Sequence, residues 1–311
     1  MSKASKANYR AVALMGATGT GKSALALELA ETLQTSIISC DSMQLYRGLD
    51  IGTAKASLQE RQRASHFLID CADVHDIWSA QRWADAALAV IEQENRQGRV
   101  PLIVGGTGMY LRALTEGFAD IPAMKEGVRE HFIHMQQELG TPYLHAILQD
   151  CDAVLASRLH ATDTQRIIRG LCVYESSGVP LSEWQARHAA QHTSVDCPVF
   201  VLDVPRPELR ERLASRIHAM IQEGWLEEVQ WLDAQDVDEL HPALRAVGYR
   251  QLLAHVHGEC SLERAVEQAI TATRKYAKRQ VTWFKHQTPD AVIGDASRLK
   301  QEITTRLKTW I

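Results

Sequence analysis

Residues 16–23, Gly16-Ala17-Thr18-Gly19-Thr20-Gly21-Lys22-Ser23, match the spacing G-x-x-x-x-G-K-[ST] of a phosphate-binding loop. Glycines in such a loop let backbone N–H groups close around phosphate oxygens, and the helix that follows adds the partial positive charge of its N-terminus. Lys22 supplies a point cation for the terminal phosphates, and the Ser23 hydroxyl suits a Mg²⁺ ion. The context agrees. An apolar run at 11–15 precedes the loop, and Leu25, Leu29 and Leu33 follow at four-residue spacing, the stripe of an amphipathic helix. A glycine-rich turn is the bland alternative, and it does not account for the Lys-Ser pair. The chain is read as binding a di- or triphosphate.

Which one depends on a second acid. A P-loop ATPase or kinase usually holds its metal with a carboxylate at the end of another apolar strand. The obvious strand here, 100–104, runs into Gly105-Gly106-Thr107-Gly108 with no acid, and the N-K-x-D signature of GTPases is missing. By topology the nearest carboxylate is Asp41, at the tip of a strand over 36–40 and inside D-S-M-Q-L-Y (41–46). An Asp there can reach Mg²⁺ through water, act as a general base, or merely cap a turn. A P-loop kinase of a small metabolite or nucleotide is the alternative function.

The elements that must place these groups read as strands over 11–15, 36–40, 67–70 and 100–104, with helices over 23–33 and 83–96 between them. Strand and helix in alternation imply a parallel sheet with helices on both faces, whose ligands sit at the carboxyl ends of the strands. From 111 to 196 no strand is evident, and the stretch reads as a helical insertion. A return strand follows at 198–204, then one long helix over 207–234, then another from Ser261 to about residue 286 with Ser261 as its cap. The expected division is residues 1–111 with 197–311 as the core, and 112–196 as the insertion.

Composition excludes several classes. Of 311 residues, 45% are hydrophobic and 23% charged, an ordinary globular balance. No uncharged apolar run reaches the ~18 residues that cross a bilayer, and no secretion signal is expected from the basic start. Six cysteines at 40, 71, 151, 172, 197 and 260 form no C-x-x-C pair, which favours a reducing, cytoplasmic setting over zinc or disulfides. His131 and His134 lack a third ligand, Cys40 lacks a catalytic partner, and Trp225 and Trp231 are expected to pack.

The residues resemble the tRNA dimethylallyltransferases (tRNA isopentenyltransferases) over nearly the whole chain. The likeness rests on G-A-T-G-T-G-K-S (16–23), D-S-M-Q-L-Y (41–46), D-I-G-T-A-K (50–55), L-I-V-G-G-T-G-M-Y (102–110) and Q-R-I-I-R (165–169). It continues through R-I-H-A-M-I-Q-E-G (216–224), R-A-V-G-Y-R-Q (245–251) and A-K-R-Q-V-T-W-F-K (277–285). Ala17 stands where that family often has proline and Ser23 where threonine is common. The zinc element of eukaryotic members is missing, so the chain is similar to the bacterial form. This resemblance implies a P-loop NTPase-like α/β fold with a helical, tRNA-binding insertion. It also implies transfer of a dimethylallyl group from its diphosphate to the exocyclic amine of the adenosine 3′-adjacent to the anticodon. The loop would then hold a diphosphate that leaves, which explains the missing acid.

An adenine amine is a poor nucleophile, and a carboxylate that takes its proton is worth about 10²–10⁴ in rate. Asp41 is assigned that role. Residues 16–23, Mg²⁺ on Ser23, and Arg216 are assigned to the leaving diphosphate; by itself Arg216 would read as a solvated helix residue beside Arg212. Thr107 is assigned to the bridging oxygen or the base. Flipping the base out of its stack costs a few kcal/mol, and Ser42, Met43 and Gln44 are suited to reading it. Gln165, Arg166, Ile167, Ile168 and Arg169 are the expected anticodon-loop contact. Residues 271–285 carry five cations and no acid. Arg274, Lys278, Arg279 and Lys285 are therefore read as an RNA-backbone track, with Tyr276 and Trp283 as stacking surface and Arg245 and Arg250 beside it. The tRNA anticodon stem-loop is the expected partner, and the enzyme is expected to be a monomer with no membrane association.

Overall fold

A computed structural model of the chain describes residues 9–117, 119, 121–188, 195–238 and 241–310. Its strands are β1 (Tyr9–Arg10), β2 (Val12–Gly16), β3 (Ile37–Cys40), β4 (His66–Phe67), β5 (Leu102–Gly105), β6 (Val195–Asp196), β7 (Val199–Leu202) and β8 (Val292–Gly294). Six form a parallel sheet in the order β4-β3-β5-β2-β7-β8, while β1 pairs with β6 alone. The register sets Leu14 of β2 opposite Val104 of β5 and Phe200 of β7.

Alternation along the strands sends side chains to two buried faces. On one, Val12, Leu14, Leu102, Val104, Phe200 and Leu202 pack against Leu25 and Leu29 of the Lys22–Leu33 helix and Leu299, Ile303 and Leu307 of the Ala296–Lys308 helix. On the other, the intervening Ala13, Met15, Ile38, Ile103 and Val201 are buried as well. Here Trp83 of the Ala80–Arg96 helix donates its indole N–H to the Ser39 carbonyl at 2.9 Å and stacks on Tyr110 at 4.9 Å. This is the P-loop type of α/β fold, with Gly16, Cys40, Gly105 and Leu202 at the ligand edge of the sheet.

Several expectations are corrected. The strand over 67–70 is only His66–Phe67, because Leu68 (φ 56°) and Asp70 (φ 51°) turn the chain. The single helix over 207–234 is two, Arg206–Gln222 and Trp225–Asp233, broken where Gly224 takes φ 103°. The buried stripe continues across the break, so apolar spacing alone did not reveal it. Edge strand β8 and the helix after it were not anticipated; three residues, none of them buried, are too few to show a period. The stretch expected to lack strands ends in β6.

The chain divides into Met1–Thr115 with Ser194–Ile311, and Glu116–Thr193. The expected boundaries at 112 and 196 therefore fall inside the Gly108–Thr115 helix and β6 of the first unit. Among the described residues the second unit holds helices and no strand. Its core joins Phe132, Leu144, Leu148, Leu155 and Leu171.

Ile303 is fully buried on the last helix. Ile303→Ala should cost about 2–5 kcal/mol, read as a lower urea midpoint at unchanged slope.

Candidate active site

The phosphate loop leaves β2 and enters the Lys22–Leu33 helix through Gly19 (φ 80°) and Gly21 (φ 95°), both in the left-handed region that favours glycine. The Ala17 carbonyl accepts from both Thr20 Oγ1 at 2.9 Å and Lys22 Nζ at 2.7 Å, which draws the loop closed. Thr18, Gly19, Gly21, Lys22 and Ser23 line a cavity of about 600 Å³. The other three of the eight loop residues, Gly16, Ala17 and Thr20, are buried behind them. Burial, with the Arg216 charge added and Asp41 opposing, brings the Lys22 ammonium down to about 8. Burial lowers Arg216 too, again against Asp41. Both cations and the carboxylate line this one cavity.

Asp41 lies at the tip of β3, and its Oδ1 accepts the Met43 N–H at 2.8 Å. The Ser42 N–H bonds Thr107 Oγ1 at 3.2 Å, and the Thr107 N–H bonds the Cys40 carbonyl at 3.2 Å. The Thr107 hydroxyl oxygen thus holds the acid's loop and keeps its own O–H free to donate to a ligand. Asp41, Ser42, Met43 and Gln44 do line the cavity. The Gln44 amide, however, is committed to protein: Oε1 accepts from Ser39 Oγ at 2.8 Å, and Nε2 donates to the Thr53 and Ala54 carbonyls at 3.1 and 3.3 Å. Ser42, Met43 and Gln44 are all partly exposed at the cavity, the Gln44 N–H groups being already bonded to protein while its oxygen keeps a second lone pair.

The Leu262–Gln287 helix closes the other wall with Thr273, Tyr276, Arg279 and Gln280, residues on one helical face. Arg279 thus belongs to the cavity, with its guanidinium over the Tyr276 ring at 5.5 Å. Lys278 and Lys285 are exposed. Arg274 is not part of an outer track: it is partly buried, donates to the Arg210 carbonyl at 3.2 Å, and leaves its Nε buried without a partner. Nor is Trp283 a free stacking surface. Its indole lies so close over Gly108 that a Cβ there would come within 2.4 Å of the ring. Arg245 lines the cavity, and Arg250, though exposed, does not.

In the second unit the Thr164–Ser177 helix exposes Gln165, Arg166 and Arg169, and Arg166 pairs with Asp163 at 3.0 Å. Ile167 and Ile168 are 0% and 9% exposed in that unit's core. Helical periodicity turns them inward, so their expected contact with RNA is withdrawn.

A family model described as IPP transferase matches residues 44–287. The chain belongs to the IPP transferase family. A tRNA dimethylallyltransferase of Rhodospirillum centenum is 46% identical over 88% of this chain and 87% of its own length. One of Magnetococcus marinus is 44% identical over 87% and 90%. Among solved structures, the tRNA isopentenylpyrophosphate transferase of Bacillus halodurans matches with TM-score 0.69 at 29% identity, covering 97% of this chain and 98% of that one. A eukaryotic dimethylallyltransferase acting on tRNA matches at 0.78 and 27%, covering 94% and 75%. The chain is an enzyme of the transferase class.

Other residues of this IPP transferase were not singled out by spacing. Glu228 accepts the N–H groups of Asp50, Ile51 and Gly52 at 2.7, 2.7 and 3.0 Å and the Tyr249 hydroxyl at 2.5 Å. It fixes the 50–55 loop whose carbonyls hold Gln44. Burial and the Glu228 charge keep the Tyr249 phenol well above its ordinary value, so it stays a donor. Lys55, with 1% of its side chain exposed, bonds the Tyr46 carbonyl, Asp50 and Asp70. Burial works to raise the Asp70 carboxyl, but Lys55 and Arg61 outweigh it and hold it low. Lys55 stood within D-I-G-T-A-K and Gln280 within A-K-R-Q-V-T-W-F-K, and those blocks were the available signal.

Lys22 carries its charge below about pH 8 and loses it above. Inorganic pyrophosphate should therefore bind the wild type progressively less well than Lys22→Arg as pH rises from 6.5 to 9.5. Calorimetry of both proteins checks this, since their ratio cancels the ionisation of the anion.

Proposed function

We infer that this chain transfers a dimethylallyl group from dimethylallyl diphosphate to tRNA, and that the acceptor is the exocyclic amine of the adenosine 3′-adjacent to the anticodon. The relatives named tRNA dimethylallyltransferase support the reaction. One observation carries it further: the phosphate loop and Asp41 line the same cavity, while β5, the strand beside the loop's own, ends in Gly105 with no carboxylate. That arrangement suits a diphosphate held as leaving group better than a γ-phosphate prepared for transfer, and it weighs against the kinase reading.

In this reaction the bond from the donor's first carbon to the diphosphate oxygen breaks as the carbon–nitrogen bond forms. The amine proton passes to the Asp41 carboxylate. Negative charge gathers on the diphosphate, where Lys22, Arg216 and the loop amides meet it; donors aimed at developing charge in a half-dry cavity are worth far more than in water. Ser23, whose hydroxyl lines the cavity, is the side chain that would hold Mg²⁺ together with diphosphate oxygens, and the bound ion would neutralise leaving-group charge. Mg²⁺ usually takes few protein ligands and fills the rest of its shell with waters and substrate phosphates. Among the described residues no group of three His, Cys, Asp or Glu offers a site of its own.

For the acceptor, Ser42, Met43 and the exposed Arg245 stand around the cavity. Exposed Gln165, Arg166 and Arg169 are the contact the second unit offers to an anticodon loop. Lys278 and Lys285 are exposed cations of the Leu262–Gln287 helix. Among the described residues no helix is long and apolar enough to cross a membrane. We place the enzyme in the cytoplasm as a monomer.

Asp41→Asn should lower transfer by about 10²–10⁴ while leaving tRNA affinity within about tenfold. Incubation with radiolabelled dimethylallyl diphosphate and bulk tRNA, with labelled ATP as rival donor, tests the whole reading; phosphoryl transfer without prenylation sinks it. Replacing Lys278 and Lys285 by Ala should flatten the salt dependence of tRNA affinity by roughly 0.7–0.9 per lost phosphate contact. An unchanged slope in a filter-binding titration would take these lysines off the RNA.

A further inference from the structure

We propose that Gln280 is a positioning residue of the transfer reaction, its amide tying the phosphate loop to the turn that holds the catalytic acid. The proposal rests on the prenyl-transfer reading above. Gln280 is 7% exposed on the inward face of the Leu262–Gln287 helix. Its Oε1 accepts the Thr18 N–H at 2.9 Å, and its Nε2 donates to the Gly106 carbonyl at 3.0 Å.

Each partner is a backbone group at the ligand edge of the sheet. β2 and β5 are paired up to Met15 and Gly105, and beyond that point no ladder holds their two loops together. The amide supplies the missing rung. On one side Thr18 belongs to the phosphate loop. On the other, Gly106 precedes Thr107, whose hydroxyl oxygen holds the Ser42 N–H beside Asp41. The leaving-group cradle and the base are thereby spaced through Thr18, Gln280, Gly106, Thr107 and Ser42.

Two features show that the spacing is built for an amide. Gly106 does not have a positive φ, yet a Cβ there would meet Gln280 Nε2 at 2.2 Å; glycine is needed to admit the amide. Glutamine also carries donor and acceptor at the required reach. An ionised glutamate accepts from Thr18 but sets its second oxygen against the Gly106 carbonyl, and only when protonated does it regain the donor.

That difference gives a pH signature that a filler of space would lack. With full-length protein, dimethylallyl diphosphate and an anticodon stem-loop, Gln280→Leu should lose about 10–100-fold in kcat at every pH, with KM for RNA within about threefold, as expected of misplaced reacting groups. Gln280→Glu should be equally slow at pH 8, and its rate relative to the wild type should climb as pH falls and the introduced carboxyl takes a proton. Gly106→Ala, which displaces the amide and leaves Gln280 in place, should show a similar loss with no recovery at low pH. A Gln280→Glu to wild-type ratio that is flat with pH, or a Gly106→Ala protein at full rate, overturns the proposal. Should the wild type transfer no prenyl group at all, the functional reading fails. The tie is then judged by pyrophosphate affinity, where Gln280→Glu should again recover toward acid pH and a flat ratio again overturns it.

Discussion

Two cations drawn part-way out of water around one cavity set the terms for the rest of this site. Lys22 and Arg216 both lose basicity through burial, the Arg216 charge depresses Lys22 further, and Asp41 is the acid that offsets them. A cation held this way is costly until an anion arrives. A diphosphate would offset that cost by bringing more than one negative charge to both side chains.

Holding these charges in place falls to side chains that bond backbone rather than substrate. Loops at the carboxyl edge of a parallel sheet carry N–H and C=O groups that no strand pairs, and each must find a partner when half-buried. Glu228 satisfies consecutive N–H groups of residues 50–52, Gln44 takes the carbonyls of Thr53 and Ala54, Thr107 takes Ser42, and Gln280 spans Thr18 and Gly106. None of these partners is close in sequence except within a loop, so the cavity is shaped by contacts that span up to 262 positions.

That separation decides what was legible beforehand. The phosphate loop is local: its glycines, lysine and serine act within eight consecutive residues, and spacing alone identified them. The place of Asp41 at the cavity was legible because a strand tip is a topological position that the sequence reveals. Gln280, Glu228 and Lys55 carry no local signature, since a polar residue on a helix reads equally well as solvated surface. The reverse error occurred at 165–169 and 274–283. There a block was read as one functional unit, while a helix turns 100° per residue and sends Ile167 and Ile168 into a core, Arg279 into the cavity and Trp283 onto Gly108. Strand β8 and the break at Gly224 were missed for a related reason: one is too short to display a period, and the other interrupts the backbone without interrupting the buried stripe.

The glycines after β5 show why this fold has no acid beside its phosphate loop. A Cβ at Gly105 would stand 2.0 Å from the Cys40 carbonyl oxygen, and one at Gly106 would strike the Gln280 amide. An aspartate at the tip of β5, where a nucleotide-hydrolysing relative of the fold would keep its metal ligand, cannot be accommodated without parting β3 from β5. The two strands approach closely there because the Cys40 carbonyl also receives the Thr107 N–H, which sets the start of the Asp41 loop. Space that a carboxylate at the tip of β5 would occupy is thus filled by backbone contacts that set the start of the Asp41 loop, so Gly105 excludes the acid sterically, before any charge is considered.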